Sequence, residues 1–191
     1  MLIAMVSYKM IPMNPAETIG QFDRFLAAEG LRLDAVVIGG TAMALLGVTS
    51  RQTKDCDVLA PPLPPEVVDA ARRFAAAVRR AGDPLADDWL NNGPSSLVEA
   101  LPPGWETRLQ VVFKGTALTL RTLGRLDLLR SKLFALCDRG LDLPDCLALA
   151  PTAEELGDLL PWVCQQDLNP DWPEHVRATL ADLGRRLGHG V

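Results

Sequence analysis

The sequence has little histidine and no paired-cysteine motif. His175 and His189 lie outside any ligand-like spacing with Cys56, Cys137, Cys146 and Cys164, and no two of these cysteines form a C-x-x-C pair. That argues against the common zinc sites. Scattered cysteines with no export signal read as reduced thiols, the expectation for a cytoplasmic protein. The apolar residues 1–13 are few, are interrupted by Lys9 and are followed by no small-residue cleavage site, which is not the layout of a signal peptide. No run approaches the ~18 apolar residues of a membrane span, so no membrane partner is expected. A basic excess is missing too. Lys and Arg number 19 against 24 Asp and Glu, giving a net charge of −5. This balance argues against a broad nucleic-acid-coating surface; it leaves room for a local basic groove, or for a small-molecule or partner-directed function.

The 191 residues are 48 % hydrophobic and 23 % charged, enough for one core with a helical appendage. Asn14-Pro15-Ala16-Glu17 reads as a helix start with Asn14 as cap, and Ile19, Phe22 and Leu26 then share a face up to Gly30. Residues 35–38 form an apolar strand ending at Gly39-Gly40, with a short helix over 41–46. Asp55-Cys56-Asp57-Val58-Leu59 alternates acidic and apolar residues, the pattern of a strand with one wet face. The rigid connector Pro61-Pro62-Leu63-Pro64-Pro65 launches a helix to about Ala81. Residues 82–104 look irregular, with one helical turn at 96–100. Residues 107–113 and 118–121 read as a hairpin about Lys114-Gly115. From Leu126 the chain is helical: Leu126, Leu129, Leu133 and Leu136 share a face, a second helix covers 142–150, and Thr152-Ala153-Glu154-Glu155 caps a third. A last helix opens at Asp171-Trp172-Pro173-Glu174. The expectation is an α+β fold, a small mixed sheet flanked by helices, with a core over 1–124 and a helical C-terminal extension over 125–191 packed on it.

The informative segment joins Gly39-Gly40-Thr41 to Arg51-Gln52-Thr53-Lys54-Asp55-Cys56-Asp57. A Gly-Gly turn lets backbone amides approach a phosphate, and a helix beginning at Thr41 would help hold the anion. Asp55 and Asp57 alternate on a strand, so their carboxylates share a face about 7 Å apart. Such a pair suits Mg²⁺ already carrying nucleotide phosphates. Arg51, just before the D-x-D, is placed for a phosphate contact. Each part has a bland counterpart: a plain turn, a solvated strand edge, a surface ion pair. The order of strand, Gly-Gly, short helix, Arg-x-Thr and D-x-D favours a site.

This order resembles the minimal nucleotidyltransferases of the AbiEii and MenT type, within the polymerase-beta-like superfamily. The resemblance is strong over about 35–59 and weaker to 149. It implies a nucleotidyltransferase fold and Mg²⁺- or Mn²⁺-dependent transfer of a nucleotide from an NTP, often to RNA and in toxin–antitoxin settings. The acceptor here would be RNA or protein. It implies Asp55 and Asp57 as metal ligands and Gly39, Gly40, Thr41, Arg51 and Thr53 at the nucleotide. It also implies Lys132, in Arg130-Ser131-Lys132-Leu133, as the nucleotide-contacting lysine, and Asp142-Leu143-Pro144-Asp145 as the acidic pair that follows it, with Asp142 counted among the catalytic residues.

Read without the resemblance, Lys132 is a snorkelling surface lysine. Asp142 is a helix cap before Pro144. Many such enzymes place a third carboxylate on a later strand, and there the sequence has Gln110. Hence a second expectation: a catalytically inactive nucleotide- or partner-binding module of the same fold. A third is a toxin–antitoxin partner held through its C-terminal helices. The polar stretch Trp89-Leu90-Asn91-Asn92-Gly93-Pro94-Ser95-Ser96 reads as a surface loop rather than a lid. Trp105, Trp162 and Trp172 read as packing residues, His175 as structural or exposed, and Cys56 as facing the core.

Overall fold

The computed structural model describes residues 14–50 and 53–189. The N-terminal residues 1–13 and Arg51 lie outside the described residues. Helix α1 (Pro15–Ala28) starts on a proline that needs no amide partner. The expected Asn14 side-chain cap is not made; the Asn14 carbonyl accepts from the Thr18 amide at 3.0 Å instead. Strand β1 (Leu33–Ile38) carries one exposed residue, Asp34; from Ala35 to Ile38 it is apolar on both faces because both are covered. Ala35 and Val37 enter one core; Val36 and Ile38 enter the other.

Helix α2 (Gly39–Leu45) follows β1 without a loop and begins at Gly39 rather than Thr41. Strand β2 (Cys56–Ala60) runs antiparallel to β1. Helix α3 (Pro65–Arg80) leads to the two-residue strand β3 (Leu90–Asn91), which lies parallel to β2. Helix α4 (Leu97–Ala100) and a 3₁₀ turn (Trp105–Arg108) precede β4 (Gln110–Lys114) and β5 (Leu118–Thr122). The segment expected to be irregular therefore contains a strand, and the hairpin's first strand begins three residues later than the sequence suggests. The five-stranded sheet has the order β3-β2-β1-β5-β4, with β5 parallel to β1. Strand order is a long-range property that no local pattern encodes.

Helices α1 and α3 cover one face. There Phe22, Phe74 and Trp89 meet with ring centroids 5.1 to 5.7 Å apart. Trp89, placed in a surface loop by its polar neighbours, is fully buried, and its indole N–H donates to the Ala71 carbonyl at 3.2 Å. Burying each such ring contributes about 1.5–3 kcal/mol. The other face carries α5 (Arg125–Arg139), α6 (Leu143–Leu149), α7 (Ala153–Cys164) and α8 (Trp172–Arg186), whose apolar sides share a core with Val36, Ile38 and Leu59. Thr152 and Glu155 make both bonds of the expected capping box. Trp105 and Trp172 are buried, and the Trp162 indole N–H donates to the Ala100 carbonyl at 3.0 Å. His175 is tied to the Cys137 carbonyl at 2.8 Å. The fold is α+β, with a mixed sheet between helical layers and a helical C-terminal region, as in nucleotidyltransferases. No described helix is long and apolar enough to cross a membrane.

Candidate functional site

The site lies where β1 ends. Register pairs Ile38 with Asp57, so the Asp57 carboxylate stands beside the turn that follows β1. Gly39 has φ +74°, and a Cβ there would come within 2.7 Å of Asp57 Oδ2. At Gly40 a Cβ would meet Thr53 Oγ1 at 2.8 Å. A Cβ at either position would push aside a side chain of the segment 53–57, and at Gly39 the left-handed backbone favours glycine as well. Thr41 is fully buried, and its hydroxyl donates to the Asp55 carbonyl at 2.7 Å. Its hydroxyl therefore braces the D-x-D segment from behind rather than facing a ligand. Thr53 Oγ1 makes only long contacts of 3.4 Å to the Asp55 carbonyl and to Asp55 Oδ1. Cys56 faces the core, as alternation requires; burial and the neighbouring aspartates hold its thiol protonated.

Burial raises the Asp57 carboxyl above its ordinary range, and the Asp55 charge adds to the rise. A side-chain hydrogen bond from Asn91 and the positive charges of Lys132 and Arg139 act the other way. Asn91 pairs level with Asp57 between β2 and β3, and its Oδ1 accepts from the Gly93 amide at 2.7 Å. This corrects one expectation. Gln110 does not occupy the place of a third carboxylate. It lies on β4, with β1 and β5 between it and β2, and its amide donates to the Leu123 carbonyl at 3.1 Å. The residue beside Asp57 is the amide Asn91.

Helix α5 supplies the opposite wall. Lys132 is only 6 % exposed, so it is not a snorkelling surface residue. Its Nζ donates to Asp142 Oδ1 at 2.9 Å and to Asp145 Oδ2 at 2.6 Å. Burial alone would lower the Lys132 pKa; the bonds to Asp145 and Asp142 outweigh it and hold the amine charged. Asp142 stands at the N-cap of α6 but makes no side-chain cap bond. Its second oxygen accepts from Arg139 Nη2 at 3.1 Å. Pro144 in the first turn removes one donor that a cap would have to satisfy.

Between the walls is a cavity of about 530 Å³. Gly39 and Asp57 face it from the sheet; Lys132, Arg139 and Asp142 face it from α5 and the start of α6. Gly93, Pro94 and Ser96 close one side, so the stretch read as a plain surface loop forms a wall. Of the expected residues, Gly39, Asp57, Lys132 and Asp142 line this space together. Gly40, Thr41 and Thr53 do not line it, and neither does Asp55, which directly precedes β2 and whose charge acts on Asp57.

Sequence reading missed Arg139, Asn91 and Asp138, which also lines the cavity. Arg139 is seven residues from Lys132 on one helix, a spacing that puts both on one face and was there to be read. Asn91 sits on a strand too short to show periodicity.

Among the described residues, no three His, Cys, Asp or Glu side chains gather as a metal cage. Asp55 and Asp57 are nonetheless two hard oxygen donors whose charges repel, an arrangement that a cation offsets. The pair fits Mg²⁺ or Mn²⁺ that takes its remaining ligands from phosphates and water.

Comparison with curated proteins and with solved structures finds no match. Residues 17–147 match the family described as nucleotidyltransferase of unknown function (DUF6036). The matched span contains the whole sheet, Asp55, Asp57, Lys132, Arg139, Asp142 and Asp145, and it covers more than half of the chain; the protein belongs to this family of nucleotidyltransferases.

Proposed function

We propose that the cavity binds an NTP with Mg²⁺ or Mn²⁺ and that the protein transfers the nucleotidyl group to a hydroxyl on RNA or on a protein. The observation that carries this reading is the facing of Asp57 and the Lys132–Arg139 pair across one cavity. Asp55 and Asp57 would hold the ion, which when bound neutralises phosphate charge and aligns an in-line displacement. The positive φ of Gly39 brings bare backbone to the cavity edge, where phosphate oxygens can approach without a Cβ in the way. Arg139, whose side chain is 59 % exposed, balances phosphate charge directly. Lys132 is held by two carboxylates, so its role is to keep a fixed positive charge near Asp57. The acceptor oxygen attacks the α-phosphorus, the bond to the bridging oxygen breaks, pyrophosphate leaves, and the acceptor proton passes to solvent or a carboxylate.

The finer assignment within this reading is to the AbiEii/MenT-like type, with a cytoplasmic location and a toxin–antitoxin setting. Its support is the order of Gly39-Gly40, Asp55-x-Asp57, Lys132 and Asp142. One observation favours a second reading. Asn91 beside Asp57 brings no third carboxylate to activate the acceptor, which suits a nucleotide-binding module without turnover.

Incubating the protein with each α-labelled NTP, Mg²⁺ or Mn²⁺, and bulk RNA or protein separates the two readings. Label in an acceptor, lost in Asp57→Asn, supports the enzyme. Nucleotide binding without transfer supports the module. The absence of both refutes the proposal.

A further inference from the structure

The cavity lining is chemically mixed: beside its charged groups stand an aromatic ring, aliphatic side chains and a carboxamide that have no role in phosphate chemistry. On α5 the charged residues Lys132 and Arg139 lie seven apart in one column. Ser131, Phe134 and Asp138 form the adjacent column, and all five line the cavity. The same helix thus offers a cationic stripe and, beside it, an aromatic ring. Phe134 is half-buried and packs edge-on to Trp172, with centroids 6.1 Å apart at 73°. Leu97 and Ala100 line the same cavity. Gln166 reaches it from the end of α7. Its Nε2 donates to the Trp162 carbonyl at 2.8 Å, while the Trp162 indole donates to Ala100 at 3.0 Å. Gln166 and the Leu97–Ala100 wall are therefore one hydrogen-bonded unit. With one N–H committed, the amide keeps a second N–H and an acceptor oxygen.

We infer that this uncharged part of the lining is a nucleobase subsite, in which Phe134 stacks on the base and Gln166 reads its edge. The inference rests on the nucleotide reading of the cavity and adds the part of the ligand that chooses among NTPs. A flat apolar ring with a fixed donor–acceptor pair at the rim is what a base requires: a surface for its π-face and a partner for its polar edge. A site for inorganic polyphosphate would need neither.

The test uses the full-length protein with Mg²⁺ and measures dissociation constants for ATP, CTP, GTP, UTP and inorganic triphosphate. Phe134→Leu keeps apolar volume and removes the ring. It is expected to weaken all four NTPs by about 5- to 150-fold, the range for loss of one base stack, and to leave triphosphate unchanged. Gln166→Ala is expected to alter the order of preference among the four NTPs, again sparing triphosphate. NTP binding that ignores both substitutions overturns the inference while the nucleotide reading stands. Equal loss of triphosphate in either folded variant also overturns it. If neither NTPs nor triphosphate bind the wild-type protein, the nucleotide reading falls and the inference with it. Should Phe134→Leu fail to fold, the order of preference in Gln166→Ala decides alone.

Discussion

Lys132 is a structural pin as well as a site residue, and Lys132→Met measures how much so. The lysine is 6 % exposed, and the carboxylates it bridges, Asp142 and Asp145, are 9 % and 1 % exposed. Methionine keeps most of the volume but removes the cation from between two buried anions. Breaking a buried ion pair in this way costs about 3–5 kcal/mol. Arg139 remains on Asp142, so the lower part of that range, about 3–4 kcal/mol, is expected. Total stability for a domain is about 5–15 kcal/mol, so the variant folds but with little margin. For a chain of this size each kcal/mol shifts Tm by about 2–4 °C, giving a drop of about 6–16 °C by calorimetry or circular dichroism. Adding Asp142→Asn and Asp145→Asn removes the stranded charge and recovers a large part of the loss. A Tm for Lys132→Met within about 2 °C of wild type would refute the argument. The stabilisation also has a pH signature. The Lys132 pKa is raised above its ordinary 10.5, so its contribution is complete below that pH and is lost only as pH rises through the higher folded value. The Lys132→Met deficit is therefore flat through neutral pH.

At Asp57 the charged form is destabilising rather than stabilising. Its carboxyl is raised by burial and by Asp55, so stability falls as pH rises from the unfolded value of 3.8 through the folded one. Metal-free Asp57→Asn is expected to melt higher than wild type at neutral pH, with the gap closing in acid; added Mg²⁺ narrows it by stabilising the wild type alone. Asp23 is a different case. Its carboxylate accepts from the amides of Thr116, Ala117 and Leu118 at 2.8 to 3.1 Å, and these outweigh burial to hold its pKa below 3.8. Asp23→Ala leaves the Ala117 and Leu118 amides buried without that acceptor, at a cost of about 2–6 kcal/mol, read by urea unfolding. In wild type that contribution is lost as pH falls through the folded Asp23 value. Gly39→Ala puts a Cβ 2.7 Å from Asp57 Oδ2 at a φ of +74°. It is expected to cost about 1–2 kcal/mol in backbone strain and to abolish Mg²⁺-dependent nucleotide binding, measured by calorimetric titration.

Much of this fold was legible because its signals are local. Ile19, Phe22 and Leu26 recur at helical spacing, and all three are buried. The Thr152–Glu155 box contains its own bonds. The turn at Gly39-Gly40 was legible for the same reason, as was the alternation by which Cys56 enters the core while Asp57 faces the cavity; Asp55, expected on the same strand, instead lies just before β2. Elements defined by partners distant in sequence were hidden. The two residues of β3 become a strand only beside β2, so nothing in Leu90-Asn91 announced that Asn91 would sit level with Asp57. The place of Gln110 was hidden because strand order is a long-range property: β4 lies at the far edge of the sheet, with β5 and β1 between it and β2. Asp142 looked like a cap and stands at a cap position, yet a buried lysine ten residues earlier takes its carboxylate. A charged bond to Lys132 outcompetes a cap bond that Pro144 has already made less necessary.

The reaction proposed for this cavity is nucleotidyl transfer. The direct measurement follows two labels in parallel, one on the α-phosphate and one on the γ-phosphate of each NTP, with Mg²⁺ and a candidate acceptor. The α-label is predicted to enter the acceptor while the γ-label leaves in pyrophosphate, with both signals absent in Asp57→Asn. Release of γ-label as single phosphate, or transfer that persists in Asp57→Asn, would contradict the account.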